Sequence, residues 1–481
     1  MSGSRSHSRS LDFLFHPRSV AVVGVSGKQR DWGGGEYFVR ALQVQGFSGP
    51  IYPVNPRVQE AAGLPCYPSL VAIPGPVDYV ISSIPASAVL QLMDDAAAKG
   101  VRAIHFFTAG FRETGEAELV ELERQVLERA RSAGIRLIGP NCMGLYCPAG
   151  HLSFNRDFPR EPGNIAFISQ SGLNAEELVL YAAPRGVRFS KVISYGNATD
   201  LDESDFFEYC TVDPETEIIA SYIEGVKDGR RLLRAVRAAS AAKPIILLKG
   251  GLTRAGSRAA DSHTGSLAGS AQVWDALSRQ VGTLSVETLQ EMEDLLVTFR
   301  FLPRPEGRGV AIIGVGGGSS VLTADMAERL GLEVPALPDE LQAELRQFTP
   351  VAGTSVRNPL DTVGIRARDH FLKTVRLVAS SPDIHVLLIQ SRIDWDPNPG
   401  QASSEFVRQS VDILKDSVEA AGKPIAVVIW PPLSIDLMGR ILDFQRGCAE
   451  AGLPVYWGVE RALRSISKFL HWHEQRAESG L

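Results

Sequence analysis

Short, largely apolar runs recur along the chain, most of them ending in a turn rich in glycine, proline, serine or asparagine and followed by a helical pattern. They lie at 18–25, 50–54, 77–84, 101–107 and 135–138, then at 165–168, 191–194, 218–223 and 244–248, and again at 309–314, 386–390, 424–429 and 454–456. A strand apolar on both faces must be covered on both, and strands that alternate with helices pair in parallel. The spacing therefore predicts an α/β chain of doubly wound parallel sheets. Their ligands belong across the carboxyl ends of the strands.

The 481 residues suffice for three such domains. We place a Rossmann-like domain at 11–150, a flavodoxin-like domain at 151–303 and a second flavodoxin-like domain with a terminal helix at 304–481. Pro303-Arg304-Pro305-Glu306-Gly307 is the linker before the last, and residues 1–10 form a polar, basic tail expected to be disordered. The apolar group at 11–15 is interrupted by Asp12 and is too short for a signal-peptide core, and no apolar run approaches a membrane span. The net charge of −6 argues against a general nucleic-acid binder. The five cysteines are scattered without CxxC spacing, so neither a disulfide framework nor a zinc site is expected, and a cytoplasmic location is.

In the first domain the strand at 18–25 runs through Gly24 into Ser26-Gly27-Lys28-Gln29-Arg30, ahead of a helix near Glu36. Backbone N–H groups, Lys28 and Arg30 suit a pyrophosphate there, although a glycine loop can also simply turn the chain. The second strand ends in Asn55-Pro56-Arg57. A nicotinamide dinucleotide site usually has an acidic residue at this point to hold the ribose hydroxyls. Its absence counts against an NAD-dependent dehydrogenase and suits a phosphorylated ribose, with a plain β-turn as the other reading.

In the second domain Ser169-Gln170-Ser171-Gly172 precedes a helix starting near Asn174, which reads equally as an anion site or as ordinary serine capping. Glu224 ends the strand at 218–223, where such sheets keep their chemistry. Residues 258–270 read as an open loop around His263, with a helix starting at Gly265. An imidazole there is either an incidental surface group or a phosphoryl acceptor, its tautomer held by Glu224. Gly316-Gly317-Gly318-Ser319-Ser320 in the third domain is a further phosphate cradle or an interface turn.

A set of motifs in order resembles one family. Ser19 through Gly24, Tyr52-Pro53-Val54-Asn55-Pro56, Ile84-Pro85-Ala86, Ala109-Gly110-Phe111 and Gly139-Pro140-Asn141-Cys142 resemble the coenzyme A (CoA)-binding domain of the NDP-forming acyl-CoA synthetases, relatives of succinyl-CoA synthetase. Ile168 through Gly172, Gly196-Asn197, Asp213-Pro214-Glu215-Thr216, Tyr222 through Gly225, Lys227-Asp228-Gly229-Arg230 and Ser262 through Gly269 are similar to their phosphohistidine domain, and Asn358-Pro359-Leu360-Asp361 to their third. The resemblance implies that His263 is phosphorylated and that Glu224 hydrogen-bonds it. It also implies phosphate at Ser169, Gln170, Ser171, Gly172, Thr264 and Gly265. CoA is implied at Gly24, Ser26, Gly27, Lys28, Arg30, Asn55, Arg57, Pro85, Ala109 and Asn141. No metal site is expected in this chain. ATP or ADP with Mg is expected on a separate ATP-grasp partner chain. The function so implied is that of the alpha-type subunit of an ADP-forming acid–CoA ligase, with a non-catalytic CoA-binding regulator as the alternative. Leu173-Asn174-Ala175-Glu176-Glu177 and Tyr195 depart from the small residues the family has at those places.

Overall fold

The computed structural model describes residues 11–26, 33–264, 270–314, 316–361, 367–393, 403–432 and 434–478, with the backbone alone at 261–264. These fall into two compact units, drawn from Met1–Leu180 with Arg188–Leu289 and from Tyr181–Val187 with Gln290–Leu481.

The first unit holds two large sheets and a small two-stranded one, Glu60–Ala61 against Leu64–Pro65. The first sheet takes β1 (Val20–Val23), β2 (Ile51–Val54), β3 (Tyr79–Ser82), β4 (Ala103–Phe106) and β5 (Arg136–Ile138). All its pairs are parallel, in the order β2-β1-β3-β4-β5. The crossovers run through α1 (Gly35–Gln45), α2 (Val89–Lys99) and α3 (Ala117–Ala133). Val80, Ile104, Phe106 and Leu137 bury against Leu92, Met93 and Val126 of the helices. Chain direction across the sheet reverses between β1 and β3, which opens a crevice at their carboxyl ends.

The second sheet takes β6 (Gly144–Tyr146), β7 (Ile165–Ser169), β8 (Phe189–Ser194), β9 (Ile218–Ile223), β10 (Ile245–Lys249) and β11 (Leu284–Val286), in the order β11-β10-β9-β7-β8-β6. Only the edge strand β6 is antiparallel, pairing with β8. Residues 144–146 thus join this sheet from the first-domain side of residue 150. The helices are α4 (Gly172–Ala182), α5 (Glu203–Val212), α6 (Gly229–Ala242), α7 (Arg254–Thr264) and α8 (Ala271–Val281). The reversal here falls between β7 and β9.

In the second unit α9 (Leu289–Phe301) precedes β12 (Val310–Gly314), α10 (Gly317–Arg329), α11 (Asp339–Arg346), β13 (Leu360–Asp361), α12 (Arg368–Ala379), β14 (Val386–Ser391), α13 (Ser403–Ala421), β15 (Ile425–Ile429), α14 (Met438–Glu450), β16 (Val455–Trp457) and α15 (Val459–Glu478). The sheet is parallel in the order β13-β12-β14-β15-β16. Buried Arg185 lies between Glu293 at 3.1 Å and Asp294 at 2.8 Å, and Arg461 meets Asp294 at 2.5 Å. Asn358 braces the sheet: its side-chain oxygen accepts from Ile312 N at 2.9 Å, and its amide donates to the carbonyls of Val310 and Pro335.

Two motifs of the second sheet owe their residue types to packing. Lys191 on β8 is buried, with Nζ 2.8 Å from Asp213 and 2.7 Å from Glu215. Thr216 Oγ1 donates to the same Asp213 at 2.6 Å. Lys227 donates to Ala198 O, and Asp228 caps α6 by accepting Arg231 N at 2.9 Å. The Lys191→Met variant strands the buried Asp213 carboxylate. It is expected to cost about 3 kcal/mol, read as a lower urea midpoint, whereas a wild-type midpoint would show that the ion pair adds nothing.

Candidate functional site

At the switch point of the second sheet, β7 ends in Ser169-Gln170-Ser171-Gly172 and β9 in Glu224-Gly225. Gln170, 2% exposed, joins the two. Its backbone N–H donates to Tyr222 O at 3.0 Å, and its side-chain oxygen accepts from Glu224 N at 2.8 Å and Gly225 N at 3.1 Å. One amide therefore closes the mouth of the two central strands and sets the backbone from which Glu224 projects.

The serines either side do local work. Ser169 Oγ donates to Ser171 O at 2.7 Å, and Ser171 Oγ accepts from Asn174 N at 3.3 Å. Serine capping of α4 is thus present, and it leaves that helix's N-terminus beside Glu224. The Glu224 carboxylate is buried and accepts the Tyr222 hydroxyl at 3.1 Å. Lys249, at the end of the neighbouring β10, donates to Glu224 O at 2.7 Å and lies 5.1 Å from the centroid of Trp274. Burial pulls its ammonium down to about 8, while the Glu224 charge pushes the other way.

His263 does not lie on an open loop. Arg254–Thr264 is helical, and His263 and Thr264 occupy its last turn. The run Ala255, Ala259 and Ala260 favours a helix, and Thr253 Oγ1 accepts Gly256 N at 3.0 Å at its start. Gly265, expected to start a helix, lies outside the described residues, and the next described helix starts at Ala271. The glycine and hydroxyl content that reads as a loop in isolation is outweighed by the alanine content of this turn.

The CoA candidates gather at the carboxyl ends of the first sheet. Gly24 and Ser26 follow β1, Asn55 and Arg57 follow β2, Pro85 follows β3, Ala109 follows β4 and Asn141 follows β5. Gly27, Lys28 and Arg30 lie outside the described residues. Gly24 has φ +100° and no room for a side chain, since a Cβ would sit 2.6 Å from Ser83 O. Arg57, Pro85 and Ala109 are exposed. Asn55 serves the turn itself, its amide on Val25 O at 2.5 Å and its oxygen on Arg57 N at 2.7 Å.

The structure also brings these two regions of the first unit together, which local sequence does not show. Glu113 accepts Gly110 N at 2.6 Å with one oxygen and the Asn197 amide at 2.7 Å with the other. Asn197 N donates to Pro140 O, and a Cβ on Gly196 would sit 2.3 Å from that same oxygen. Thr199 donates to Glu123 at 2.6 Å, and Arg136 pairs with Asp200 at 2.8 Å. Helix α7 packs against the Arg112–Thr114 turn. The loop after β4, the Gly196-Asn197 strap and the helix of His263 thus share one seam.

The residues expected to depart from the resembled pattern have distinct fates. Leu173 is exposed, Asn174 hydrogen-bonds Tyr222, and Glu176 accepts the Asn155 amide at 2.6 Å. Tyr195 is fully buried, its ring 6.1 Å from Phe206, and its hydroxyl has no hydrogen-bond partner among the described residues. In the second unit, Gly316 N donates to Asp361 at 2.9 Å, which puts a carboxylate at the start of α10.

Three family models match in series: a CoA binding domain at 18–148, a succinyl-CoA ligase-like flavodoxin domain at 162–299 and a ligase-CoA domain at 310–429. The chain is 39% identical to the alpha subunit of acetate–CoA ligase [ADP-forming] II of Pyrococcus furiosus, over 79% of this chain and 81% of that one. It is 34% identical to the alpha subunit of the corresponding ligase I of the same organism, over 98% and 99%. A solved dinucleotide-forming acetyl-coenzyme A synthetase 1 from Ca. Korarchaeum cryptofilum, in complex with phosphate and ADP, superposes with TM-score 0.80 at 31% identity, over 97% of each chain.

Gln170→Leu leaves two buried N–H groups at the Glu224 turn without their acceptor. A loss of about 2 kcal/mol is expected in urea unfolding, and an unchanged midpoint would remove Gln170 from its bracing role. Glu203, in the first turn of α5, is held up to about 8 by burial, reinforced by Asp202. A carboxyl raised in the folded state binds its proton more tightly there. Its contribution to stability is therefore full below about 4.5 and is lost as pH rises through about 8. Glu203→Gln should flatten that decline, so that the variant outlasts wild type in thermal melts above pH 8 and not below pH 5; parallel curves would refute this.

Proposed function

The chain belongs to the ADP-forming acid–CoA ligases, as their alpha-type chain, and from this premise we propose a route for its reaction. Acyl-CoA and phosphate exchange at the carboxyl ends of the first sheet to give acyl phosphate and free CoA. His263 attacks the phosphorus, the P–O bond to the acyl group breaks, and the carboxylate leaves. The phosphoryl group then passes from the imidazole to ADP, giving ATP. Run backwards, the same steps make the thioester at the expense of ATP. The phosphohistidine divides one difficult exchange into two substitutions at a single phosphorus.

The roles follow from chemistry. Glu224 accepts a hydrogen bond from the N–H of one imidazole nitrogen and so leaves the other free to attack. Ser169, Gln170, Ser171 and Gly172, with Thr264 and Gly265, cradle the phosphoryl oxygens at the N-terminus of α4. CoA lies over Gly24, Ser26, Gly27, Lys28 and Arg30, along Asn55 and Arg57, and past Pro85, Ala109 and Asn141. The observation that carries this reading is the Gln170 junction. It ties a buried carboxylate to a helix N-terminus in the crevice of a parallel sheet. ADP or ATP with Mg belongs to an ATP-grasp partner chain. Acetate is the first acid to test, because several relatives are named for it. No helix among the described residues is long and apolar enough to cross a membrane, and the proposed location is the cytoplasm.

The test is incubation of the purified chain with a panel of acyl-CoA thioesters and labelled phosphate. Label stable in base and lost in acid is expected on the wild type and absent from His263→Ala. Glu224→Gln should slow labelling by roughly a hundredfold while CoA binding stays unchanged. Tight CoA binding without label on any thioester, even with an ATP-grasp chain added, would instead identify a CoA-binding regulator.

A further inference from the structure

The Glu224 turn is held from two sides by residues not yet given a role. On the carboxylate side the Tyr222 hydroxyl lies 3.1 Å from one oxygen and is itself hydrogen-bonded by the side chain of Asn174. On the backbone side Lys249 Nζ lies 2.7 Å from Glu224 O, with Trp274 against the ammonium. Asn174 comes from the first turn of α4, Tyr222 from β9, Lys249 from β10 and Trp274 from α8. Tyr222 and Lys249 thus meet the glutamate directly, while Asn174 and Trp274 bear on it through them. Gly250 is confined by the same group, since a Cβ there would stand 2.7 Å from the Tyr222 oxygen.

We infer that Tyr222 and Lys249 are positioning residues for the phosphoryl-transfer step, acting through Glu224, with Asn174 orienting the tyrosine. This rests on the reading of Glu224 and His263 above. Tyr222 directs its hydroxyl to one carboxylate oxygen and so fixes the plane of the Glu224 carboxylate. Lys249 anchors the carbonyl of the same residue, so the side chain cannot swing with its backbone. Its ammonium also adds a positive charge beside the crevice that receives a phosphoryl anion. The proton and electron balance of the reaction is unchanged, because neither residue exchanges a proton with the substrate.

The pH dependence has a definite sign. The groups facing the ammonium are the Glu224 carboxylate and the Trp274 ring. Among the described residues, those facing Glu224 include Tyr222, Lys249 and, from the end of β8, buried Tyr195. Lys249 is charged below about 8 and neutral above it, so labelling should fall as pH rises through that value.

The experiment measures the rate of label incorporation from acyl-CoA and labelled phosphate between pH 6 and 10, with CoA affinity measured in parallel. Tyr222→Phe and Lys249→Met are expected to label about tenfold more slowly at neutral pH, with CoA affinity and thioester KM unchanged. Lys249→Arg keeps the charge, so it should label faster than Lys249→Met and lose the fall near pH 8. Asn174→Leu should slow labelling by a few-fold. If the Phe or Met variant fails to fold, as a lost CoA affinity would reveal, the Arg and Leu variants decide the matter. Wild-type rates with an unshifted pH profile in those variants overturn the frame while the phosphohistidine stands. Absence of label on the wild type overturns the reading of His263, and the frame falls with it.

Discussion

The side-chain oxygen of Gln170 is the acceptor on which the site depends. Parallel strands leave their last N–H groups without ladder partners, and at a switch point the two central strands diverge. Glu224 N and Gly225 N are buried there, and Gln170 satisfies both from the neighbouring strand. A buried donor left unpaired costs more than an ordinary hydrogen bond contributes, so this residue fixes the conformation of the turn. The Glu224 carboxylate, its Tyr222 partner and the Lys249 anchor all take their geometry from it.

A second constraint joins the sheets of the first unit. Gly196 approaches Pro140 so closely that a side chain is excluded, and Asn197 reaches Glu113 in the first domain. Glu113 also gathers Gly110 N and Phe111 N, so the loop after β4 is shaped by the same carboxylate that holds Asn197 of the second sheet's domain. Packing of α7 on the same turn puts the helix of His263 in this seam. The phosphoryl transfer proposed above requires such proximity, because misalignment by about 1 Å costs about a hundredfold in rate.

Much of the fold was legible because strands buried on both faces must be continuously apolar. The strand at 218–223 is observed with those bounds, and the other parallel runs shift by only a residue or two at their ends. The edge strands β6, β11 and β13 were not legible, since Gly144-Leu145-Tyr146, Leu284-Ser285-Val286 and Leu360-Asp361 carry no apolar run of their own and are defined by their partners. The loop expected around His263 became the last turn of α7, where alanines outweigh the hydroxyl and glycine signal. Serine capping and anion binding at Ser169–Gly172 read alike in sequence. The capping bond is seen, and it leaves the helix N-terminus at the crevice.

The sequence by itself determined the three parallel sheets, the turns at their carboxyl ends and the family motifs, because each depends on residues adjacent along the chain. Only the tertiary structure decided what those motifs touch. It showed that Asp213-Pro214-Glu215-Thr216 neutralises a buried lysine, that Gly196-Asn197 straps one domain to another, and that Tyr222 and Lys249 meet at Glu224. The physical reason is that these partners lie on different strands and helices. Their distances are set by sheet order and helix packing, which no local pattern of residues encodes.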